Sequence, residues 1–168
     1  MNKRKPKGKR KGKCAARVTD KVNHLTPPTL TGIGSLNVFI GKRKAWRGVP
    51  TAVAPALMSA KLSTYATIQA AEANSLAMAP TPLGPAAKAA EQSTKVTIAT
   101  TMSSTIASVS GLADKHTCVL HGVGVVVGGS RTVLINGFPA CRQGDTIVEP
   151  LGPPNKILKG CSSVFIGD

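Results

Sequence analysis

The chain has 168 residues, a formal charge of +15, and three Phe, one Trp and one Tyr as its whole aromatic complement. That length suits one domain with an attachment, and so few rings leave a modest core of the kind that normally needs a disulfide or a metal to hold it. The same text argues against a membrane-spanning chain and against an exported disulfide framework. Lys61, Glu72, Lys88, Glu91 and Lys95 interrupt the long alanine-rich stretch, and no apolar leader follows the basic N-terminus.

Residues 1–13 hold eight lysines and arginines and no acid, which leaves about +7 for everything else. A run of this kind reads as a disordered, solvated tail with an affinity for anionic surfaces. It carries no aromatic residue on which a base could stack, so specific nucleic-acid recognition is not expected.

Beyond the tail the chain repeats itself. Gly34-Ser35-Leu36-Asn37-Val38-Phe39-Ile40-Gly41 matches Gly129-Ser130-Arg131-Thr132-Val133-Leu134-Ile135-Asn136, and both match Gly160-Cys161-Ser162-Ser163-Val164-Phe165-Ile166-Gly167. Short β-branched runs closed by glycine or asparagine are strands with tight turns. A second pattern keeps step with the first: Cys14-Ala15-Ala16-Arg17, Lys44-Ala45-Trp46-Arg47 and Pro139-Ala140-Cys141-Arg142. The unit is a hairpin present three times, which suggests a pseudo-threefold body of short strands. Arg17 and Arg142, with Asp20 and Asp145 three residues on, read as turn-closing pairs, and Arg47 as their counterpart. Phe39, Trp46 and Phe165 read as core, and Cys141 and Cys161 as small packing residues.

Between the first and second repeats the composition turns to alanine, serine and threonine. Residues 52–79 suit a helix with Pro55 in its first turn and Leu62, Tyr65 and Ile68 along an apolar edge. The segment 80–85, rich in proline, breaks it, and residues 86–110 return as a second helix despite their valines, isoleucines and threonines. The expected insertion is a helical hairpin over 51–113 attached to the β body.

The strongest chemical signal is His116-x-Cys118-x-x-His121. Two imidazoles and a thiol at this spacing suit zinc, which favours nitrogen and sulfur in a tetrahedron. The remaining histidine of the chain is His24, nearly a hundred residues upstream. If it closes the site, the metal ties the start of the fold to its end. Asp114 and Glu149 are the carboxylates that could be nominated as catalytic bases, yet neither has the helical spacing of a zinc hydrolase. With every histidine engaged, no Ser-His-Asp arrangement remains, and an enzyme is not expected.

Cys14-Ala15-Ala16-Arg17-Val18-Thr19-Asp20 and Pro139-Ala140-Cys141-Arg142-Gln143-Gly144-Asp145 resemble the proline-alanine-alanine-arginine (PAAR) repeat proteins. The resemblance extends over residues 14–50 and 114–168, through Gly34-Ser35, Trp46-Arg47, Asp114 to Cys118, and Gly152 to Gly167. It implies a mainly β, conical pseudo-threefold body that caps the trimeric β-helical spike of a type VI secretion system or related phage-tail-like machine, one tip per trimer. It also implies a structural zinc near the apex, with His24, His116, Cys118 and His121 as its ligands by position. Such a protein is assembled in the bacterial cytoplasm and delivered outward at the point of the machine, where it meets the target membrane. The first motif departs from the family by lacking the glycine before Asp20. The tail and the insertion lie outside the common core. An alternative reading makes the insertion or tail a carrier for an effector or a chaperone, and a weaker one makes the chain a basic zinc module on nucleic acid.

Overall fold

The computed structural model describes residues 12–23 and 28–167. In chain order these form β1 (Lys13–Ala15), β2 (Phe39–Ile40), β3 (Arg43–Lys44), α1 (Ala54–Met78), α2 (Gly84–Ser110), β4 (Lys115–Cys118), β5 (Gly122–Val126), β6 (Leu134–Ile135), β7 (Phe138–Pro139), β8 (Thr146–Val148), β9 (Asn155–Lys156) and β10 (Cys161–Ile166). The expected tail lies outside the described residues as far as residue 11, and Lys13 already opens β1.

Two of the three expected hairpins are present as the antiparallel pairs β2–β3 and β6–β7, the third place is taken by β1 pairing with β10 from a distant part of the chain, and β4, β5, β8 and β9 form one sheet in that order. What joins the hairpins is a closed triangle of main-chain hydrogen bonds. The Ala16 amide donates to the Cys141 carbonyl at 2.8 Å, Cys141 donates to Trp46 at 3.0 Å, and Trp46 donates back to Ala16 at 3.0 Å. A second cycle surrounds it, in which Val18 donates to Lys44, Gly48 to Pro139 and Gln143 to Cys14, at 3.0, 2.8 and 2.8 Å. Three strands converging on one axis leave room for little more than a methyl group. Ala15, Ala45 and Ala140 stand there, each fully buried, and this is the steric reason for the alanine in the repeat.

The arginine of each repeat locks its own corner. In all three, the backbone amide and Nε of the arginine donate to one carboxylate oxygen and a terminal guanidinium nitrogen donates to the other. The pairs are Arg17 with Asp20, Arg142 with Asp145, and Arg47 with Asp114. Bidentate geometry of this kind is the strong form of the ion pair. Asp114 thus has a structural partner, and its nomination as a base gives way to that pairing. The missing glycine before Asp20 is replaced in kind: Thr19 adopts φ 66°, the left-handed conformation that Gly144 adopts at 87° before Asp145.

The helical insertion occupies the gap between Arg47 and Asp114. Pro55 and Pro85 both stand in the first turn of their helices, where a missing amide costs nothing. Buried positions recur at sevens, Ala54, Lys61, Ile68 and Ser75 on α1 facing Gly84, Glu91 and Ile98 on α2, as in a coiled-coil seam. The threonines that weaken the sequence signal turn outward, and Thr94, Thr100 and Thr105 donate their hydroxyls to the carbonyls four residues earlier. Leu62, expected on the apolar edge, is half exposed instead, because Leu57 and Lys61 hold the buried stripe.

Three apolar clusters make the core. One surrounds Trp46 with Ala16, Val22, Leu30, Val126, Cys141, Ile147 and Ile157, and one lies under the hairpins around Ile40, Ile135 and Ile166. The third joins Leu57, Ile68, Ile98, Met102 and Ile106 of the helices to Val125 and Val148 of the sheet. The insertion therefore shares a core with the β body. Phe39, expected inside, is 58% exposed, and Phe165 is half-buried, because the following isoleucine in each repeat is the one that points inward.

Candidate metal centre

Strand β4 alternates, so His116 and Cys118 fall on one face of it, buried at 0% and 2% exposure. Its antiparallel partner β5 sets His116 opposite Gly124 and Cys118 opposite Gly122. The turn between them brings His121 back: its amide donates to Cys118 Sγ at 3.2 Å. Strand β8 pairs with β5 in the register Val125–Val148, and the next residue, Glu149, reaches across β5 toward both imidazoles. A glycine is needed at 124 for that reach, since a Cβ there would stand 2.6 Å from Glu149 Cγ.

Glu149 Oε2 lies 3.1 Å from His121 Nδ1, and Oε1 lies 3.5 Å from His116 Nε2. Ligand atoms of Cys118, His121 and Glu149 all fall within 4.8 Å of one another. On the far side of His116, Thr31 Oγ1 accepts the Thr117 amide at 3.0 Å, lies 3.2 Å from the Thr117 carbonyl and stands 3.3 Å from His116 Nδ1, which orients the ring with Nε2 toward the Glu149 carboxylate. The mixture of sulfur, nitrogen and oxygen donors in this corner is of the kind zinc accepts.

Glu149 is entirely buried, and burial pushes its carboxyl up to about 7 against the opposing charge of Lys61. Lys61, on α1, is equally buried; its Nζ donates to the Pro150 carbonyl at 3.1 Å and lies 5.8 Å from the Tyr65 ring. Burial lowers this ammonium to about 8, with the Glu149 charge acting in the other direction.

Of the residues singled out in sequence, Cys118 and His121 fall within ligand reach of one another and of Glu149, His116 approaches the same carboxylate at 3.5 Å without joining that group, and His24 lies outside the described residues. Cys141 and Cys161 are buried in the repeats, and none of the four cysteines is in a disulfide. Sequence reading nominated Glu149 only as a base and missed its place beside the imidazoles. Nothing local to Glu149 signals it, because the strand pairing that delivers it spans more than twenty residues.

No helix among the described residues is long and apolar enough to cross a membrane. A family model described as the PAAR motif matches residues 114–168, roughly a third of the chain, beginning at the aspartate where the β body resumes after the insertion. No curated protein and no solved structure matches the chain. The match covers the second and third repeats, and the hydrogen-bonded triangle through Ala16, Trp46 and Cys141 ties residues 13–49 into the same threefold arrangement. Residues 114–168 therefore carry a PAAR motif, and the triangle sets the N-terminal β segment beside it in one threefold arrangement.

Proposed function

We propose that this chain caps the trimeric β-helical spike of its injection machine, one copy per trimer, and sharpens and stiffens it for puncture without catalysing a reaction. The observation that carries this reading is the main-chain triangle of Ala16, Trp46 and Cys141. A single chain can meet a threefold partner only by offering three near-equivalent surfaces, and the triangle fixes three hairpins in that relation. Their edges can extend the sheets of the spike through main-chain hydrogen bonds. Phe39 and Leu134, which share one position in the repeat, are exposed at 58% and 57% and suit a docking face.

A structural zinc held by His116, Cys118, His121 and a fourth donor would clamp the β4–β5 turn to the sheet. Such a clamp raises the barrier to local unfolding where few apolar contacts are available. Val119 and Leu120, exposed at 80% and 64%, form the tip of that turn and would be the first residues of the β body to meet a membrane.

The test is co-expression with the trimeric spike protein, scoring a one-to-three complex by mass. Phe39→Glu combined with Leu134→Glu should abolish the complex while leaving the isolated chain folded. A complex that survives both changes, or one of another stoichiometry, rules out the hairpin face as the base.

A further inference from the structure

Resting on the spike-tip reading above, we propose that the elbow of the helical insertion, from Leu76 to Pro85, is a lipid-inserting wedge that seats in the outer part of a bilayer beyond the β4–β5 turn.

The path of α1 sets the elbow there. Leu57 packs on the sheet with Val125 and Val148, Lys61 reaches the Pro150 carbonyl, and Tyr65, Ile68 and Glu72 line one cavity with Leu120 and His121. The helix therefore follows the sheet toward the β4–β5 turn, and six further residues, from Glu72 to Met78, carry it about 9 Å past that point. Among the described residues, the apolar cluster shared with the sheet ends at Ile68 and Ile98, so the outer part of the hairpin is held by its own seam.

Two properties of the elbow identify lipid as its partner. The first is charge. In a chain of formal charge +15, residues 73–87 contain no charged side chain and no histidine. They are bounded by a belt of charges that cancel, Lys88 with Glu91 and Lys95 with both Glu91 and Glu72, each at 2.7 Å. Beyond the belt, Leu76 and Leu83 are exposed at 77% and 63%, beside exposed Pro80 and Pro82.

The second is the main chain. A non-helical turn normally leaves N–H groups that only water satisfies, and this bars it from hydrocarbon. Here Ala79 donates to the Leu76 carbonyl at 3.3 Å, Thr81 to Met78 at 2.9 Å and Gly84 to Thr81 at 3.0 Å, while the Leu83 amide donates to Thr81 Oγ1 at 3.2 Å. Pro80, Pro82 and Pro85 have no N–H, so every amide from 79 to 85 is bonded or absent. The Thr81 hydroxyl in turn donates to the Met78 carbonyl at 2.8 Å. Glycine is required at 84 for this closure, since a Cβ there would stand 2.9 Å from the Ala79 carbonyl oxygen. A protein partner would find neither a charge nor a free main-chain N–H with which to fix its register, whereas a bilayer asks only for apolar surface with no polar group left unpaired. The span from elbow to belt, about 9 Å along α1 and about 6 Å from Gly84 to Lys88, matches the depth of about 5–10 Å to which interfacial elements sink.

The experiment uses the full chain and vesicles of phosphatidylcholine, whose zero net charge keeps the basic residues from dominating the binding. Flotation should recover the parent with the vesicles. Leu76→Gln combined with Leu83→Gln should weaken partitioning by more than about tenfold, and Val96→Gln, an exposed apolar residue of α2 behind the belt, should change it by less than about twofold. Depth is read from Leu83→Trp, whose fluorescence should shift to the blue and be quenched by lipids brominated near the headgroup end of their chains, while the fully buried Trp46 stays unquenched. Far-UV circular dichroism verifies that each variant folds. A parent that does not float, a double variant that floats as the parent does, an equal loss in Val96→Gln, or an unquenched Leu83→Trp overturns the wedge. Loss of the one-to-three spike complex in the double variant would make the elbow a protein contact and overturns it as well. Failure of the spike-tip reading is separate: the parent then forms no such complex, whatever it does with vesicles.

Discussion

The Arg142–Asp145 and Arg47–Asp114 clamps make the same hydrogen bonds, yet one closes across three residues and the other across 67. Where the clamp is local, it shapes a turn. Where it is distant, the same two side chains hold the ends of a helical hairpin at the spacing of that turn, so the body continues as if nothing had been inserted. The repeat can accept an insertion at this corner because the arginine needs only a carboxylate in the right place, from whichever part of the chain supplies it.

The comparison breaks most sharply at the aspartates. Asp114→Ala leaves the Arg47 guanidinium, whose side chain is 12% exposed, with only a long 3.5 Å bond to the Gly34 carbonyl, and removal of one partner from a buried pair costs about 3–5 kcal/mol. Asp145→Ala should cost a similar amount, because Arg142 is 6% exposed, although its bonds to the carbonyls of Gly128 and Gly167 remain. Both are read from chemical denaturation. The difference should lie in what unfolds. Loss of Asp114 frees the insertion ends and should increase amide exchange in α1 and α2, and loss of Asp145 should act on the turn before β8. Equal exchange patterns in the two variants would mean that the distant clamp has no special role.

A second prediction asks whether the insertion and the body are one cooperative unit. Ile106 sits on α2 at 2% exposure in the cluster that includes Val125 and Val148, and Ile106→Ala should cost about 2–5 kcal/mol. Far-UV circular dichroism follows the helices, and fluorescence of Trp46, the one tryptophan of the chain, follows the β body. Both signals should fall in one transition. Helix loss with Trp46 fluorescence unchanged would mark the insertion as a separate folding unit.

At acid pH the insertion should lose stability through Glu91. Hydrogen bonds from Lys88, Lys95 and Ser75 hold the Glu91 carboxyl down to about 2, against an ordinary value of 4.5. Between those limits the unfolded chain binds more protons than the folded one, so this stabilisation is complete above about pH 4.5 and is lost as pH falls toward 2. Melts from pH 7 to 3 should show the decline, and Glu91→Gln should flatten it.

The repeats, the hairpins and the two helices were legible because each is a local pattern: glycine-closed β-branched runs, proline-marked helix starts, and an Arg-x-x-Asp spacing seen twice. The third clamp was hidden, since Asp114 reads as an isolated acid until the chain folds back on Arg47. Glu149 was hidden for the same reason, its partners being set by the register of β8 on β5. Lys61 was invisible in a stronger sense. A lysine in an alanine-rich helix reads as a solvated charge, and only the docking of α1 on the Pro150 turn buries it. Phe39 misled in the opposite direction, as an aromatic residue that the repeat turns outward.

The smallest effect concerns the one corner where sequence and geometry disagree. Thr19 takes a left-handed conformation at φ 66° that Gly144 provides in the second repeat, and a β-branched residue there carries a cost of about 1–2 kcal/mol. Its side chain is exposed, and its amide bond to the Leu30 carbonyl at 3.0 Å would be kept by glycine. Thr19→Gly removes the strain but enlarges the unfolded ensemble, a penalty of about 0.4–1 kcal/mol. The balance should leave the variant more stable by about 0.5–1 kcal/mol, measured as a higher denaturation midpoint at unchanged slope. The reciprocal change, Gly144→Thr, should destabilise by more than that gain, because Gly144 stands at φ 87°, farther from the left-handed minimum. Opposite signs at equivalent corners would establish that the departure from the repeat at residue 19 is tolerated strain. A destabilised Thr19→Gly would mean instead that the threonine side chain makes a contribution of its own to the first clamp.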